Sequence, residues 1–174
     1  LIPLDSFGVT EHDVLEALGR VKVRTVDYAD LYFESCISES VSMEESLVKR
    51  ATKSISQGVG VRATAGEKTG FAYSDDLTRH DLELAADTAR YIANSPGGTQ
   101  PVPVPVRSRP TRDLYPVPHE QTDVATEDRV TLLNRIDTEA RRYDPRIKNV
   151  MASFNTEYKI VLVATSDGTL IGDV

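Results

Sequence analysis

The period of the apolar positions changes several times along the chain, and each change marks an element. A helix opens near Thr10, a good N-cap, with Asp13 at the third helical position and Val14, Leu15, Leu18 and Val21 on one stripe. After Thr25 the period falls to two. From Ala29 to Met43 the odd positions carry Ala29, Leu31, Phe33, Ile37, Val41 and Met43, and the even ones include Asp30, Glu34, Ser38, Ser40, Ser42 and Glu44. That alternation predicts a strand with one buried and one wet face. Ser35 and Glu39 interrupt it, so a bulge or a hairpin turn is expected there. Residues Ser56–Ser74 read as a hairpin, with Val59, Val61 and Ala63 alternating, a turn over Ala65–Lys68 and a return strand over Gly70–Tyr73. Thr78 caps a second helix bearing Leu82, Ala85, Ala86, Ala89 and Ile92, which stops at Asn94-Ser95-Pro96-Gly97-Gly98.

Residues 95–122 hold seven of the nine prolines, and a proline has no amide to give a helix or a central strand. This segment is expected to be an extended crossover or semi-rigid linker. A third helix is predicted over Thr126–Tyr143, with Leu132, Leu133, Ile136 and Ala140 inward. Strands follow around Val150–Phe154 and Tyr158–Ala164, and an Asp167-Gly168 turn leads to a last edge from Leu170. The expected organisation is a lobe over 1–94, the crossover over 95–122, and a continuation over 123–174. The second half loosely echoes the first, and an internal duplication is one reading of that echo. Strands grouped beside helices predict an α+β fold: three main helices on a predominantly antiparallel sheet.

Composition narrows the function classes. Hydrophobic residues make up 40% and charged residues 27% of 174, as in a soluble globular protein, and no apolar stretch approaches a membrane span. One cysteine, Cys36, allows no internal disulfide, so a reducing, cytoplasmic setting is expected. The net charge of -7 argues against a nucleic-acid surface. A start at Leu1 and a stop at Val174 straight after an expected strand lead us to expect a piece of a longer protein.

Chemistry is sparse. His12, His80 and His119 have no ligand partner at i+3 or i+4, as a helical zinc motif needs, and read as exposed or capping residues. Cys36 reads as a passive strand cysteine. Glu44-Glu45 and Asp75-Asp76 are adjacent, and a strand would point such neighbours to opposite faces, so neither makes an acid/base pair. GVGVRATAG lacks the Gly-Lys-Ser/Thr ending of a phosphate loop and leads into a strand. Gly58, Gly60, Gly66 and Gly70 are expected to let a hairpin pack closely against another backbone. Arg62 and Lys68 flank that hairpin. They are the candidate substrate contacts, suited to a peptide carboxylate or a partner's acidic group, or simply to solubility.

The strings DYADLYFES (27–35) and QGVGVRATAGEKTGFAYSDDLT (57–78), followed by a helix of LELAADTAR type, resemble the amino-terminal region of the TldD/PmbA family, once described as modulators of DNA gyrase. DRVTLLNRIDTEARRYDPRIKNV and YKIVLVATSDGTLIGDV continue the likeness, which runs from Thr10 onward and is nearer the TldD side of the family. The resemblance implies a cytoplasmic zinc metallopeptidase acting on unfolded or flexible peptides, with antitoxin degradation and peptide-antibiotic maturation among the family's connections. It implies a dimer with a TldE/PmbA-like subunit or with itself, and no nucleic acid or membrane as partner. The family's zinc-binding His-Glu-x-x-x-His helix lies downstream, and no such string occurs between Leu1 and Val174. No catalytic or metal residue is therefore carried over, and this region is expected to be noncatalytic and zinc-free by itself. It would wall a peptide channel, or hold an extended peptide by strand addition. The rival expectations are a regulatory module that modulates gyrase by protein contact, and a dimerisation scaffold.

Overall fold

The computed structural model describes residues 4–93, 103–105 and 124–174. After a short 3-10 turn at Asp5–Phe7 come α1 (Glu11–Val21), β1 (Tyr28–Glu44), β2 (Leu47–Ala65), β3 (Lys68–Ser74), α2 (Arg79–Ile92), α3 (Thr126–Tyr143), β4 (Met151–Thr165) and β5 (Leu170–Asp173). The strands form one antiparallel sheet in the order β3-β2-β1-β4-β5. Three helices beside an antiparallel sheet make the fold α+β, as the pattern predicts. No helix among the described residues is long and apolar enough to cross a membrane.

Caps fix the helix starts where the sequence puts them. The Asp13 amide donates to the Thr10 hydroxyl at 3.2 Å, and the Thr10 amide donates to the Asp13 carboxylate at 3.0 Å. This reciprocal pair satisfies two amides that the first helical turn leaves open. Thr78 accepts from the Asp81 amide in the same way at the start of α2.

The strands are longer than the alternation suggests. Neither a bulge nor a turn breaks β1 at Ser35 or Glu39: the strand runs unbroken to Glu44. The reversal comes at Glu45 and Ser46, whose φ values of 54° and 61° give the doubly left-handed turn that suits a two-residue hairpin. β2 begins at Leu47, nine positions before the hairpin start expected at Ser56. Residues Leu47–Ile55 are exposed on both faces, so no burial rhythm marks them as strand. β4 is likewise one strand rather than two, with Ala152, Phe154, Thr156 and Tyr158 half-buried and their neighbours exposed. The expected hairpin is present, in a register running from Val59↔Ser74 to Ala65↔Lys68. The turn before β5 contains Gly168 at φ 91°.

The described residues fall into two compact units. The first takes those up to Ser35, those from Ser56 through α2, and those from Lys159 onward. Phe33, Leu18, Leu31, Leu82 and Val61 lie at its interior, all fully buried. α1 packs on α2, and α2 packs on β3. Gly70 makes the last contact possible: a Cβ there would sit 1.9 Å from the Ala89 carbonyl oxygen. The expected close approach of a hairpin glycine to another backbone is thus found at Gly70.

The second unit takes Cys36–Ile55 and the described residues from 124 to 158. Its apolar centre is Val41, Met43 and Leu133, with Val130, Ala152 and Phe154 packed around them. α3 turns a different face inward from the one expected. Arg129, Leu133 and Asp137 are buried, whereas Leu132 and Ile136 are 42% and 43% exposed. Apolar spacing points to the wrong stripe because the buried one carries two charges. The segment over 95–122 lies outside the described residues except for 103–105.

Candidate functional site

In the first unit one side of the β2–β3 hairpin lies against α2, and the other side is open. Alternation and register place Gly60 and Arg62 of β2 on the open side with Phe71 and Tyr73 of β3, since Gly60 pairs with Tyr73 and Arg62 with Phe71. Gly60, Phe71 and Tyr73, with Tyr32 and Glu34 of β1 and with Ser74 and Asp75, line a groove of about 330 Å³. Tyr32, Phe71 and Tyr73 are 41%, 56% and 74% exposed, an unusual density of uncovered aromatic surface.

Two glycines form the floor. A Cβ on Gly60 would meet the Phe71 ring at 3.1 Å, so the ring lies down against bare backbone. At Gly58 a Cβ would come 2.9 Å from the Ser74 carbonyl oxygen and 3.5 Å from Asp75 Oδ1, which puts that carboxylate over the groove floor. Neither glycine has a left-handed φ, so space rather than backbone conformation calls for glycine at both positions.

Hydrogen bonds fix the charged side chains around the groove. The Tyr32 hydroxyl donates to Glu34 at 2.6 Å; that bond, helped by burial, pushes the phenol up to about 12. Lys159 stands 3.6 Å from the other Glu34 oxygen. Arg62 donates from Nε and a terminal nitrogen to one oxygen of Asp30, at 2.9 and 2.6 Å. Asp30 is buried rather than on a wet face, and its hydrogen bond holds the Arg62 guanidinium above its ordinary range. Arg62 is therefore already engaged by an acid that the sequence reading had turned toward water. Lys68 pairs with Ala65 at the turn, three positions along from Arg62. Odd spacing sends the two cations to opposite faces, so the structure does not bring the candidate contacts together.

The remaining candidates are scattered. His12 is exposed with Nε2 3.6 Å from Glu16, His80 is exposed at the start of α2, and His119 lies outside the described residues. Cys36 is half-buried, with its sulfur 3.6 Å from the Ser38 hydroxyl. Among the described residues no group of three or more His, Cys, Asp or Glu side chains could hold a metal ion. The described residues therefore offer no donor set for a catalytic metal centre.

In the second unit the sequence reading missed a charge network. Glu39 sits at an inward position of β1, bonded by the Lys53 ammonium at 2.7 Å and by Arg129 of α3. Lys53 first and then Arg129 hold the Glu39 carboxyl below the usual carboxylate range. The Arg129 guanidinium also lies 5.9 Å from the centre of the Phe154 ring. Two turns along α3 from Arg129, Asp137 accepts from the Ser46 hydroxyl at 2.7 Å and from Arg141 at 3.1 Å. An acid at an odd strand position, together with Arg129, Leu133 and Asp137 at i, i+4 and i+8, was the signal available in the sequence. The network's neighbourhood includes a hollow of about 300 Å³ lined by Ser38, Ser40, Thr52, Ser54 and Asn155. Within this unit the network ties β1 and the turn after it to α3.

Comparison with known proteins places this architecture. Residues 29–93 match the family model described as PmbA/TldA metallopeptidase domain 1, and residues 119–174 match the PmbA/TldA metallopeptidase central domain. A metalloprotease TldD homolog of Haemophilus influenzae is 36% identical over 151 residues, covering 87% of this chain and 31% of the relative. Its counterpart in Buchnera aphidicola is 33% identical over 171 residues, covering 98% of this chain and 35% of the relative. The chain thus spans about a third of the length of the curated relatives it matches. Among solved structures, TldE from Thermococcus kodakarensis superposes with a TM-score of 0.69 at 16% identity, over 94% of this chain and 36% of that one. A protein from Bacteroides thetaiotaomicron described as a modulator of DNA gyrase gives 0.72 at 14% identity, over 94% and 38%. At such low identity these two likenesses establish the shared fold alone.

Proposed function

This chain belongs to the PmbA/TldD metallopeptidase family, and we propose from that premise that it is the amino-terminal, noncatalytic region of a TldD-like zinc metallopeptidase subunit. The observation that carries the reading is the succession of two family regions, domain 1 and then the central domain, in one chain. In this reading the zinc ligands and the general base lie in the part of the relatives' length that these 174 residues do not span. The region's task is to help shape a channel for unfolded or flexible peptides and to contribute to a dimer with a TldE/PmbA-like subunit or a second copy. A channel of that kind suits a peptidase that must exclude folded substrates, because a zinc site needs an open coordination position for water. Arg62 and Lys68 are the proposed substrate contacts. Arg62 would act as one half of its ion pair with Asp30, and Lys68 would meet a different stretch of polypeptide from the other face. The lone Cys36 favours a cytoplasmic setting, and the net charge of -7 disfavours nucleic acid as a partner.

The test is metal analysis after dialysis, together with cleavage of an unstructured peptide, on this chain and on a longer protein that includes the downstream region. The chain alone should be zinc-free and inactive, and the longer protein should cleave in a chelator-sensitive way. Stoichiometric zinc with cleavage by the 174-residue chain would overturn the reading. A longer protein that binds and inhibits gyrase yet never cleaves peptides would favour a regulatory module instead.

A further inference from the structure

The groove on the open side of the β2–β3 hairpin has a chemistry more specific than exposed apolar surface. We propose that it seats the ammonium or guanidinium side chain of a lysine or arginine carried on an extended polypeptide, with Tyr32, Phe71 and Tyr73 as aromatic walls and the Asp75 carboxylate as counter-charge. The occupant's being a polypeptide rests on the peptide-handling reading above; the preference for a cation rests on the groove itself.

Three observations lead there. The first is the balance of charge. The nearby cations are already engaged, Arg62 by Asp30 and Lys159 by Glu34, whereas among the described residues no ion pair engages Asp75. Its oxygen stands 3.5 Å from the point where a Gly58 Cβ would lie, so this exposed carboxylate is one of the groove's lining groups. An anionic occupant would face an uncompensated carboxylate, and a purely apolar one would strip water from it without replacing the lost hydrogen bonds. The second is the aromatic surface. A cation is attracted to the face of a tyrosine or phenylalanine ring, and the long aliphatic stem of lysine or arginine covers apolar wall on the way in. Tyr32 is held for this role, because its hydroxyl is committed to Glu34 and the ring cannot swing away without breaking that bond. The third is the floor. The missing side chains at Gly58 and Gly60 let the Phe71 ring and the Ser74–Asp75 backbone lie close to β2, so a side chain at either position would push the aromatic wall or the counter-charge out of place.

The experiment is a nuclear magnetic resonance titration of the 174-residue chain with a blocked alanine peptide holding one lysine. The same peptide with arginine, norleucine or Nε-acetyl-lysine provides the comparisons. The lysine and arginine peptides should give saturable shifts centred on Gly58, Gly60, Phe71 and Tyr73, weakening as salt is added. Norleucine and acetyl-lysine should bind at least about fivefold more weakly. Asp75→Asn, a change at an exposed side chain, should cost the lysine peptide a similar factor and leave the norleucine peptide unaffected. Tyr73→Leu should weaken the lysine peptide as well, with the remaining spectrum unchanged in both variants. Equal binding of lysine and norleucine peptides, indifference to Asp75→Asn, or no saturable shift at the groove would each overturn the proposal. Because this readout is binding by the chain itself, it separates from the peptidase reading. A longer protein that cleaves while the groove ignores lysine would sink only the present inference, and lysine binding without cleavage by that longer protein would sink only the other.

Discussion

In the first unit the largest buried side chains are Phe33, Leu18, Leu31, Leu82 and Leu162, whereas in the second Val41, Met43 and Leu133 share the interior with Glu39, Arg129 and Asp137. The two interiors draw on different physics. Burial of apolar area is nondirectional and hardly depends on pH, so apart from the buried Asp30 and its Arg62 partner the first unit should respond little to pH. A buried ion pair is conditional on both partners: the desolvation cost of each charge is offset only while the other stays in place. The second unit therefore concentrates its sensitivity in a few groups. A strand and a helix are joined there by charge and geometry more than by shape.

Breaking one partner of the network tests this most severely. Arg129→Ala should cost about 3 kcal/mol by taking from buried Glu39 one of its two cations and leaving only Lys53. The loss should appear as faster amide exchange in α3 and β4 while α1 and α2 stay protected. The double change Glu39→Leu with Arg129→Met should recover most of that loss, because it removes both charges at similar volume; failure to recover would mean that Phe154 and Lys53 matter more than the pair. The counterpart in the first unit is Phe33→Ala, expected to cost about 3 kcal/mol or more through a cavity, with exchange rising in α1 and α2 instead. Gly70→Ala should follow at about 1 to 3 kcal/mol, since the new methyl would press on the Ala89 carbonyl and push α2 off β3. Denaturant melting that is unchanged in this variant would show that the helix can slide away at little cost.

Acid provides a gentler probe. Glu39 is held below its ordinary value of 4.5 in the folded chain, so its stabilising contribution is fully present above that pH and is lost as pH falls through the lower, folded-state value. A scan downward from pH 5 should loosen α3 before α1, and the difference should vanish in the Leu–Met double variant. The smallest effect expected is from Ile136→Gln, an exposed position, at within about 0.5 kcal/mol. A larger loss on its introduction would mean that α3 turns its other face inward in solution.

Those contrasts also explain which parts of the fold were legible from the amino-acid sequence. Caps and apolar stripes located α1 and α2 closely, because most first-unit residues that look buried are; Ile92, expected on the stripe of α2 yet 51% exposed, and the buried Asp30 depart from the pattern. Thr10, Thr78, Leu18 and Leu82 each behave as their chemistry dictates. In the second unit the extent of α3 was readable but its inward face was not, because Leu132 and Ile136 look like core and Arg129 and Asp137 do not. Glu39 was taken as a break in β1 for the same reason, although the strand keeps its phase through it. Leu47–Ile55 carried no rhythm to read, since both of its faces meet solvent. The groove was partly visible: the glycines and the hairpin were identified, and Arg62 was singled out. Its pairing with Asp30 and the convergence of Tyr32 with Phe71 and Tyr73 depend on strand register, which the alternation of single segments does not fix.

The hydrogen bond from Tyr32 to Glu34 has an optical consequence. The chain contains no tryptophan, so its near-ultraviolet absorbance is dominated by seven tyrosines. A phenol that ionises at about 12 instead of 10.0 is set apart in an alkaline absorbance titration. Tyr28 is raised as well, by burial, but only at Tyr32 is a hydrogen bond to a carboxylate the main cause, so an occupant that drew Glu34 away would remove most of that one phenol's delay.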